Sequence, residues 1–362
     1  MEVLATVAAF VLQHALKVLG IGRMRPTRIV FVSHFGTQYS CNPKYLSEHL
    51  EAHAPTFELV WAFEHPERYA YLRDRGIQLV RYNSPAFVRA CLTSHFLVTN
   101  CEMPAWLPTL KRQVVMNTWH GGGAYKRVGA DFHKGSRWRD LRSAMGRRKP
   151  TVYLSSSEAF TQLTVRGSMQ HEGEVIPCGM PRNDILVRRD RPEASSRVRT
   201  QLGISSEDRI LLYAPTYREG REASTYLFDA ARVRAALARR FGGTWTVLVR
   251  MHYFVMRQLP PSDGYVDASS YGDMQELLYA ADMLVTDYSS SIWDFGLTGR
   301  PCALYATDLD AYDLERGFYS DIRTWPWPLA KNNDELEQTI LSFDEDAYAR
   351  RLQRHYRDLG SH

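Results

Sequence analysis

With 362 residues, 44% of them hydrophobic and 23% charged, the chain is long enough to bury a sizeable core and to divide into two domains. Its formal net charge of +5 is too small to argue for nucleic acid as a partner, although it permits an anionic substrate. The five cysteines, Cys41, Cys91, Cys101, Cys178 and Cys302, lack C-x-x-C spacing and histidine companions. They suggest neither a zinc site nor a disulfide framework, and they suit a reduced, cytosolic environment.

Residues 1–24 open with MEVLATVAAFVLQHALKVLGIG, an apolar run broken by Gln13, His14 and Lys17 and therefore shorter than a bilayer span. Glu2 stands where a secretory signal carries positive charge, and no small-x-small cleavage site follows, so export is not expected. Two readings stay open: a helix lying in a membrane interface, anchored by Arg23, Arg25 and Arg28, or a helix packed on its own domain. Residues 25–190 then alternate β-rich runs (RIVFV, FELVWAF, IQLVRY, FLVTN, QVVMN) with helical stretches such as NPKYLSEHLEAH. That rhythm predicts parallel strands joined by crossover helices.

A polar, Arg-rich stretch, VRRDRPEASSRVRTQLG, reads as the join between halves. The rhythm restarts over residues 191–330 with RILLYAP, TWTVLVR, DMLVTD and PCALYA, and residues 331–362 read as C-terminal helices, NNDELEQTILSF opening on a cap. The fold class is α/β, two doubly wound domains facing a central cleft. In such sheets ligands bind beyond the carboxyl ends of the strands, so residues just after strands are the candidates.

In NTWHGGGAYK, His120 follows the strand QVVMN, and Gly121, Gly122 and Gly123 permit close backbone approach and positive φ. Consecutive N–H groups there, with Lys126, suit an anion; the competing reading is a Gly-rich turn around a structurally satisfied histidine. In LVTDYSSSIWDFG, Asp287 ends a strand, and Ser289, Ser290 and Ser291 open a helix. A helix start with hydroxyl donors suits a phosphate, or is simply a serine cap. LYAPTYRE places Thr216 and Arg218 after a further strand, and VLVRMHYF does the same for Arg250 and His252. Converging arginines and serines fit phosphate recognition. Asp308 and Asp310 in TDLDAY lack the further ligands of a metal shell and read as partners of a helix N-terminus. Residues 125–149 interleave Arg and Lys with Phe132, Trp138, Leu141 and Met145, which fits an anionic membrane surface, a polyanionic acceptor or a solvated charged face.

Taken together, NTWHG, GMPRND, LYAPTYR, VTDYSSSIWDF, DLDAY and RGFY, in this order, resemble the CDP-glycerol glycerophosphotransferase family of teichoic-acid primases, polymerases and capsule relatives. The resemblance runs over about residues 28–325, and GTQYSCNPKYLSEHL also fits it. It implies a GT-B-like pair of Rossmann-type domains, the acceptor on the N-terminal half and CDP-glycerol on the C-terminal half. His120 and His252 fall on the family's two essential histidines, and Asp287 through Ser291 on its donor-binding segment. Gly121, Gly122, Gly123 and Lys126 are expected on the acceptor side, and Thr216, Arg218 and Arg250 at the donor phosphates. Two departures stand out: Gly122-Gly123-Ala124 where relatives commonly carry Thr-Pro, and RTWPWP where many carry an acidic run.

The implied reaction is attack of an acceptor hydroxyl on the β-phosphorus of CDP-glycerol, with CMP expelled, His120 as base and no metal or other cofactor required. The donor is CDP-glycerol or another CDP-polyol such as CDP-ribitol. The acceptor is a lipid-linked polyol phosphate or saccharide at the cytoplasmic face of the cell membrane, which the chain meets as a peripheral protein. A chain of this kind adds one unit as a primase, or polymerises with a partner, and a homo-oligomer is compatible. The alternatives are a GT-B glycosyltransferase or nucleotide-sugar epimerase on the same fold, or a non-catalytic scaffold that binds polyanions at the membrane.

Overall fold

A computed structural model describes residues 1–19, 22–132, 137–216, 218, 226, 228–251 and 264–362. Their contacts divide into two units: Met1–His120 with Val128–Arg182 and His362, and Gly121–Arg127 with Asn183–Ser361.

The first unit is a seven-stranded parallel sheet in the order β3-β2-β1-β4-β5-β6-β7. Its strands are β1 (Arg25–Val32), β2 (Glu58–Phe63), β3 (Gln78–Arg81), β4 (Ser94–Thr99), β5 (Val114–Asn117), β6 (Val152–Ser155) and β7 (Glu174–Pro177). The two-residue period of β1 sends Ile29 and Phe31 to one face and Val30 and Val32 to the other, and both faces are buried. On the first face Trp61 stacks between Phe31 and Phe63, with centroids 5.4 Å away on each side, and Leu46 and Leu50 of helix α2 (Cys41–His53) cover it. On the second, Phe87, Ala90 and Cys91 of helix α3 (Pro85–Thr93) pack over Val30 and Val60. The strand order reverses between β1 and β4, so the loops after them open at a switch point of the kind where doubly wound sheets bind ligands.

Helix α1 (Glu2–Leu19) packs on helix α4 (Arg137–Arg147) in this unit. The Thr6 hydroxyl donates to the Trp138 carbonyl at 3.0 Å, and Arg139 pairs with Glu2 at 2.7 Å. Thr6 and Ala9 are buried, whereas Leu4, Val7, Val11 and Val18 on the opposite face are exposed. The helix therefore packs on its own domain and still presents an apolar outer face. No described helix is long and apolar enough to cross a membrane.

The second unit is a six-stranded parallel sheet, ordered β10-β9-β8-β11-β12-β13. It comprises β8 (Arg209–Tyr213), β9 (Trp245–Val249), β10 (Val266–Asp267), β11 (Met283–Thr286), β12 (Cys302–Tyr305) and β13 (Leu329–Ala330). The order again reverses, between β8 and β11, which places Thr216, Arg218 and Asp287 at that switch point. Leu211 and Tyr213 pack with Val233 and Leu237 of the helix Ala230–Phe241 and with Leu336 and Ile340 of the helix Asn333–Leu341.

Three sequence expectations change. Strands β6, β7, β10 and β13 add to those expected from the sequence; β10 and β13, of two residues each, are too short to show a period. The division falls between Arg182 and Asn183, and the Arg-rich stretch is no linker. It forms the helices Asp184–Arg188 and Pro192–Leu202, the second tied by Arg197 to Glu276 at 2.9 Å. The C-terminal helices belong to the second unit and are not a separate region.

Candidate active site

In the first unit a web of amides fixes the loop that carries His120. Asn117 ends β5; its Oδ1 accepts the Trp119 N–H at 2.8 Å and its Nδ2 donates to the Cys101 carbonyl at 3.2 Å. Asn42, fully buried, donates to the carbonyls of Thr118 and Trp119, both at 3.0 Å. So fastened, Trp119 holds a left-handed φ of 52°, an uncommon conformation for a bulky residue. The exposed His120 ring stacks on Trp119 at 4.6 Å. Its Nδ1 lies 2.8 Å from the Asn100 carbonyl oxygen. A carbonyl only accepts, so Nδ1 carries the proton and Nε2 the lone pair, the tautomer a base requires. Cys101 Sγ sits 3.9 Å from Nδ1, and burial pushes its thiol up to about 12, which keeps it neutral beside the imidazole.

In the second unit Asp287 is fully buried. It accepts the Thr216 N–H at 2.8 and 3.0 Å, the Tyr288 N–H at 2.5 Å and Arg218 Nη2 at 2.5 Å. Arg218 Nε lies 3.2 Å from Asp308 Oδ2, while Asp308 Oδ1 accepts the Tyr288 hydroxyl at 3.0 Å. The rings of Tyr226, Tyr288 and Tyr312 surround the guanidinium at 5.2, 4.9 and 5.6 Å. Burial opposes the charge of Arg218, but Asp287 and Asp308 outweigh it and raise its pKa. Burial raises that of Asp287 against the pull of Arg218. Arg218 is thus already paired with two carboxylates and braces the two loops. Asp308 opens the helix Leu309–Glu315 as its N-cap residue, as expected, but its side chain makes no capping bond; it accepts from Tyr288 and faces Arg218.

Gly121–Arg127 packs with the second unit, not with the first, the half expected from the sequence. Lys126 forms an antiparallel bridge with Phe318, the Arg127 N–H donates to the Gly317 carbonyl at 3.1 Å, and the Tyr319 N–H to that of Tyr125 at 2.8 Å. Residues 125–127 and the RGFY motif are therefore paired through an isolated bridge. Burial, then Arg316, lowers the Lys126 pKa to about 8, with Asp287 pulling the other way. The glycine run serves contact more than an anion nest. A Cβ on Gly122 would lie 2.0 Å from Trp293 Cδ1, and Gly123 alone of the three takes positive φ, 66°. Gly122→Ala is expected to lose about 1–3 kcal/mol of stability, read as a lowered urea midpoint at unchanged slope.

Ser290 occupies the N-cap position of the helix Ser291–Gly296 without a side-chain capping bond, and Ser289 Oγ accepts the Ser291 N–H at 3.3 Å and its hydroxyl at 3.0 Å. Nearby loops hold two buried donors, Thr216 Oγ1 and Arg250 Nη1, that make no hydrogen bond among the described residues. Burial lowers the Arg250 pKa and Asp273 opposes that. A guanidinium in that state gains from an anion. His252 lies outside the described residues. GMPRND, given no role by sequence reasoning, carries structural ones. Arg182 donates its backbone N–H to Asn42 at 3.1 Å in the first unit, and Asn183 donates to Asp294 at 2.9 Å and accepts from Gln275 at 2.8 Å in the second.

Tyr125, buried in the second unit, bonds through its hydroxyl to His355 Nε2 at 2.9 Å. Burial lowers the His355 pKa from 6.5 to about 4, with Asp358 opposing. The folded chain thus refuses a proton that the unfolded chain accepts. The contribution is complete above about pH 6.5 and is lost as pH falls towards 4, on the order of 3 kcal/mol in all. The thermal unfolding midpoint is expected to fall between pH 7 and 5, and to fall less in His355→Gln, which keeps an acceptor for Tyr125 but does not titrate.

A sequence profile for CDP-glycerol:poly(glycerophosphate) glycerophosphotransferases matches residues 15–359, nearly the whole chain. The chain belongs to this family. It is 31% identical over 344 residues to a teichoic acid poly(glycerol phosphate) polymerase of Staphylococcus epidermidis, covering 89% of this chain and 47% of that one. It is 30% identical to a teichoic acid glycerol-phosphate transferase of Staphylococcus aureus, covering 88% and 84%. The chain spans about half the length of the first curated relatives it matches, 47% and 44%. Among solved structures, the wall teichoic acid polymerase TagF superposes with a TM-score of 0.81 at 28% identity, covering 98% of this chain and 91% of that one. A UDP-GlcNAc 2-epimerase of Neisseria meningitidis, at 8% identity and a TM-score of 0.51, shares the fold alone, as expected of a GT-B-like α/β architecture. In this glycerophosphotransferase-family chain, then, Thr216, Asp287 and Lys126 gather with Arg218 and Arg316 in the second unit, and His120 stands in the first.

Proposed function

We propose that the chain transfers glycerol phosphate, or a related polyol phosphate, from a CDP-polyol to a hydroxyl of a lipid-linked or polymeric acceptor in the synthesis of a teichoic-acid-like polymer. The observation that carries the reading is the His120 tautomer: an exposed imidazole whose Nδ1–H is tied to the Asn100 carbonyl and whose Nε2 keeps its lone pair. Nε2 takes the acceptor's hydroxyl proton as that oxygen attacks the β-phosphorus. The bond from the β-phosphorus to the oxygen bridging the α-phosphate breaks, and CMP departs with that electron pair. Lys126, Arg250, Thr216 and the serines at 289–291 supply positive charge and donors to the diphosphate, with His252 as a further donor on that side. The reading asks for no cofactor beyond the nucleotide substrate.

The same reading places the chain at the cytoplasmic face of a membrane. The outer face of α1 supports this, with Leu4 75% and Val18 87% exposed, as do the exposed Trp138 and Leu141 on basic α4. The test offers purified protein CDP-glycerol, CDP-ribitol and sugar nucleotides with a lipid-linked acceptor in anionic vesicles. CMP release from one CDP-polyol, dependent on acceptor, is expected, with protein co-sedimenting with the vesicles. Release of a nucleoside diphosphate from a sugar nucleotide instead would overturn the transfer reading, and protein left in the supernatant the membrane one.

A further inference from the structure

The first sheet has a polar cavity at the edge where strands β6 and β7 begin, whereas His120 follows the end of β5 at the other edge. It encloses about 710 Å³ between the C-terminal end of α4, the π-helical segment Phe160–Ser168 and the start of β7. Arg147, Arg148 and Arg166 line it, with Glu172 as the one carboxylate in the lining among the described residues.

Arg147 is only 8% exposed. Its Nη1 donates to Ser143 Oγ at 3.0 Å, but its buried Nε makes no hydrogen bond among the described residues. Glu102 approaches from the other side, accepting the Ser143 hydroxyl at 3.1 and 2.9 Å, so it offsets part of the Arg147 charge. Arg166 is exposed and held by Nη1 on the carbonyls of His171 and Gly173 at 2.7 and 2.9 Å, which fixes its fork at the rim. His171, 6% exposed, donates Nε2–H to the Glu174 carbonyl at 3.0 Å, and burial keeps it neutral, so it adds no charge of its own.

Buried guanidinium donors without partners are costly unless something accepts from them, and planar forks suit tetrahedral oxyanions. We propose that this cavity is a second phosphate-binding site, separate from the reaction, in which Arg147, Arg148 and Arg166 donate to the oxygens of one phosphate mono- or diester. A soluble phosphate ester and the headgroup of an anionic phospholipid offer this same chemistry.

Hydrogen–deuterium exchange of the full chain reads the site locally, in peptides covering residues 146–151 and 166–174. Inorganic phosphate or sn-glycerol 3-phosphate, at constant ionic strength, is expected to slow exchange there saturably if the source is soluble. Slowing by phosphatidylglycerol vesicles but not phosphatidylcholine vesicles or the soluble probes assigns the phosphate to a lipid and supports the site equally. In the double variant Arg148→Gln, Arg166→Gln the half-saturating concentration of the active probe is expected to rise at least about tenfold, since two charged donors are lost. Arg148→Gln alone, whose exposed side chain has no bond to lose among the described residues, is expected to give a smaller rise in the same direction. Absence of slowing with all probes, or slowing undiminished in both variants, overturns the proposal.

Discussion

Alanine in place of His120 is expected to lower the rate of CMP release by about 10²–10⁴-fold, the usual worth of a positioned general base, with little change in the KM for the CDP-polyol. The ring is exposed and stacks on Trp119, with His34 at 5.8 Å, so removing it leaves the buried core of the first unit intact. The unfolding midpoint should hardly move, which separates lost chemistry from lost structure. His120→Gln sharpens the test: an amide can donate to the Asn100 carbonyl as Nδ1 does, but it cannot take up a proton. Turnover within a few-fold of the parent in either variant would remove His120 from the mechanism.

Asp287→Ala is the substitution expected to harm the fold most, by about 3–5 kcal/mol. It strips Arg218, 8% exposed, of its 2.5 Å partner and leaves the Thr216 N–H without its acceptor. Asp308 at 3.2 Å remains and holds the loss below that of a wholly isolated charge. Pairing Asp287→Ala with Arg218→Met removes the uncompensated charge as well, and recovery of part of the lost stability is expected in the double variant. Urea unfolding of the four proteins measures this. A single variant within about 1 kcal/mol of the parent would show that the pair contributes little.

The sequence was legible where chemistry sits at strand ends. His120, Thr216 and Asp287 each follow a strand, because parallel strands direct their carboxyl ends to the loops that bind ligands. Partnership was not legible. Arg218 looks like a phosphate ligand in LYAPTYRE, and only the fold brings Asp287 and Asp308 to it from far along the chain. The glycines after His120 were read as room for an anion, whereas Gly122 is small because Trp293 lies against it, a contact 171 positions away that no local pattern encodes. Of the two readings of residues 1–24, packing on its own domain is seen on the buried side of α1, while its other side is apolar and exposed.

The excursion of Gly121–Arg127 has a practical side for anyone wishing to produce the halves separately. A gene divided after codon 182 yields an N-terminal product with Ala124 and Tyr125 stripped of the neighbours that bury them, and a C-terminal product in which Gly317, Phe318 and Tyr319 lose their backbone partner. Expression of either piece invites aggregation. A workable C-terminal fragment has to carry the seven borrowed residues on a tether, in the manner of a complemented split protein.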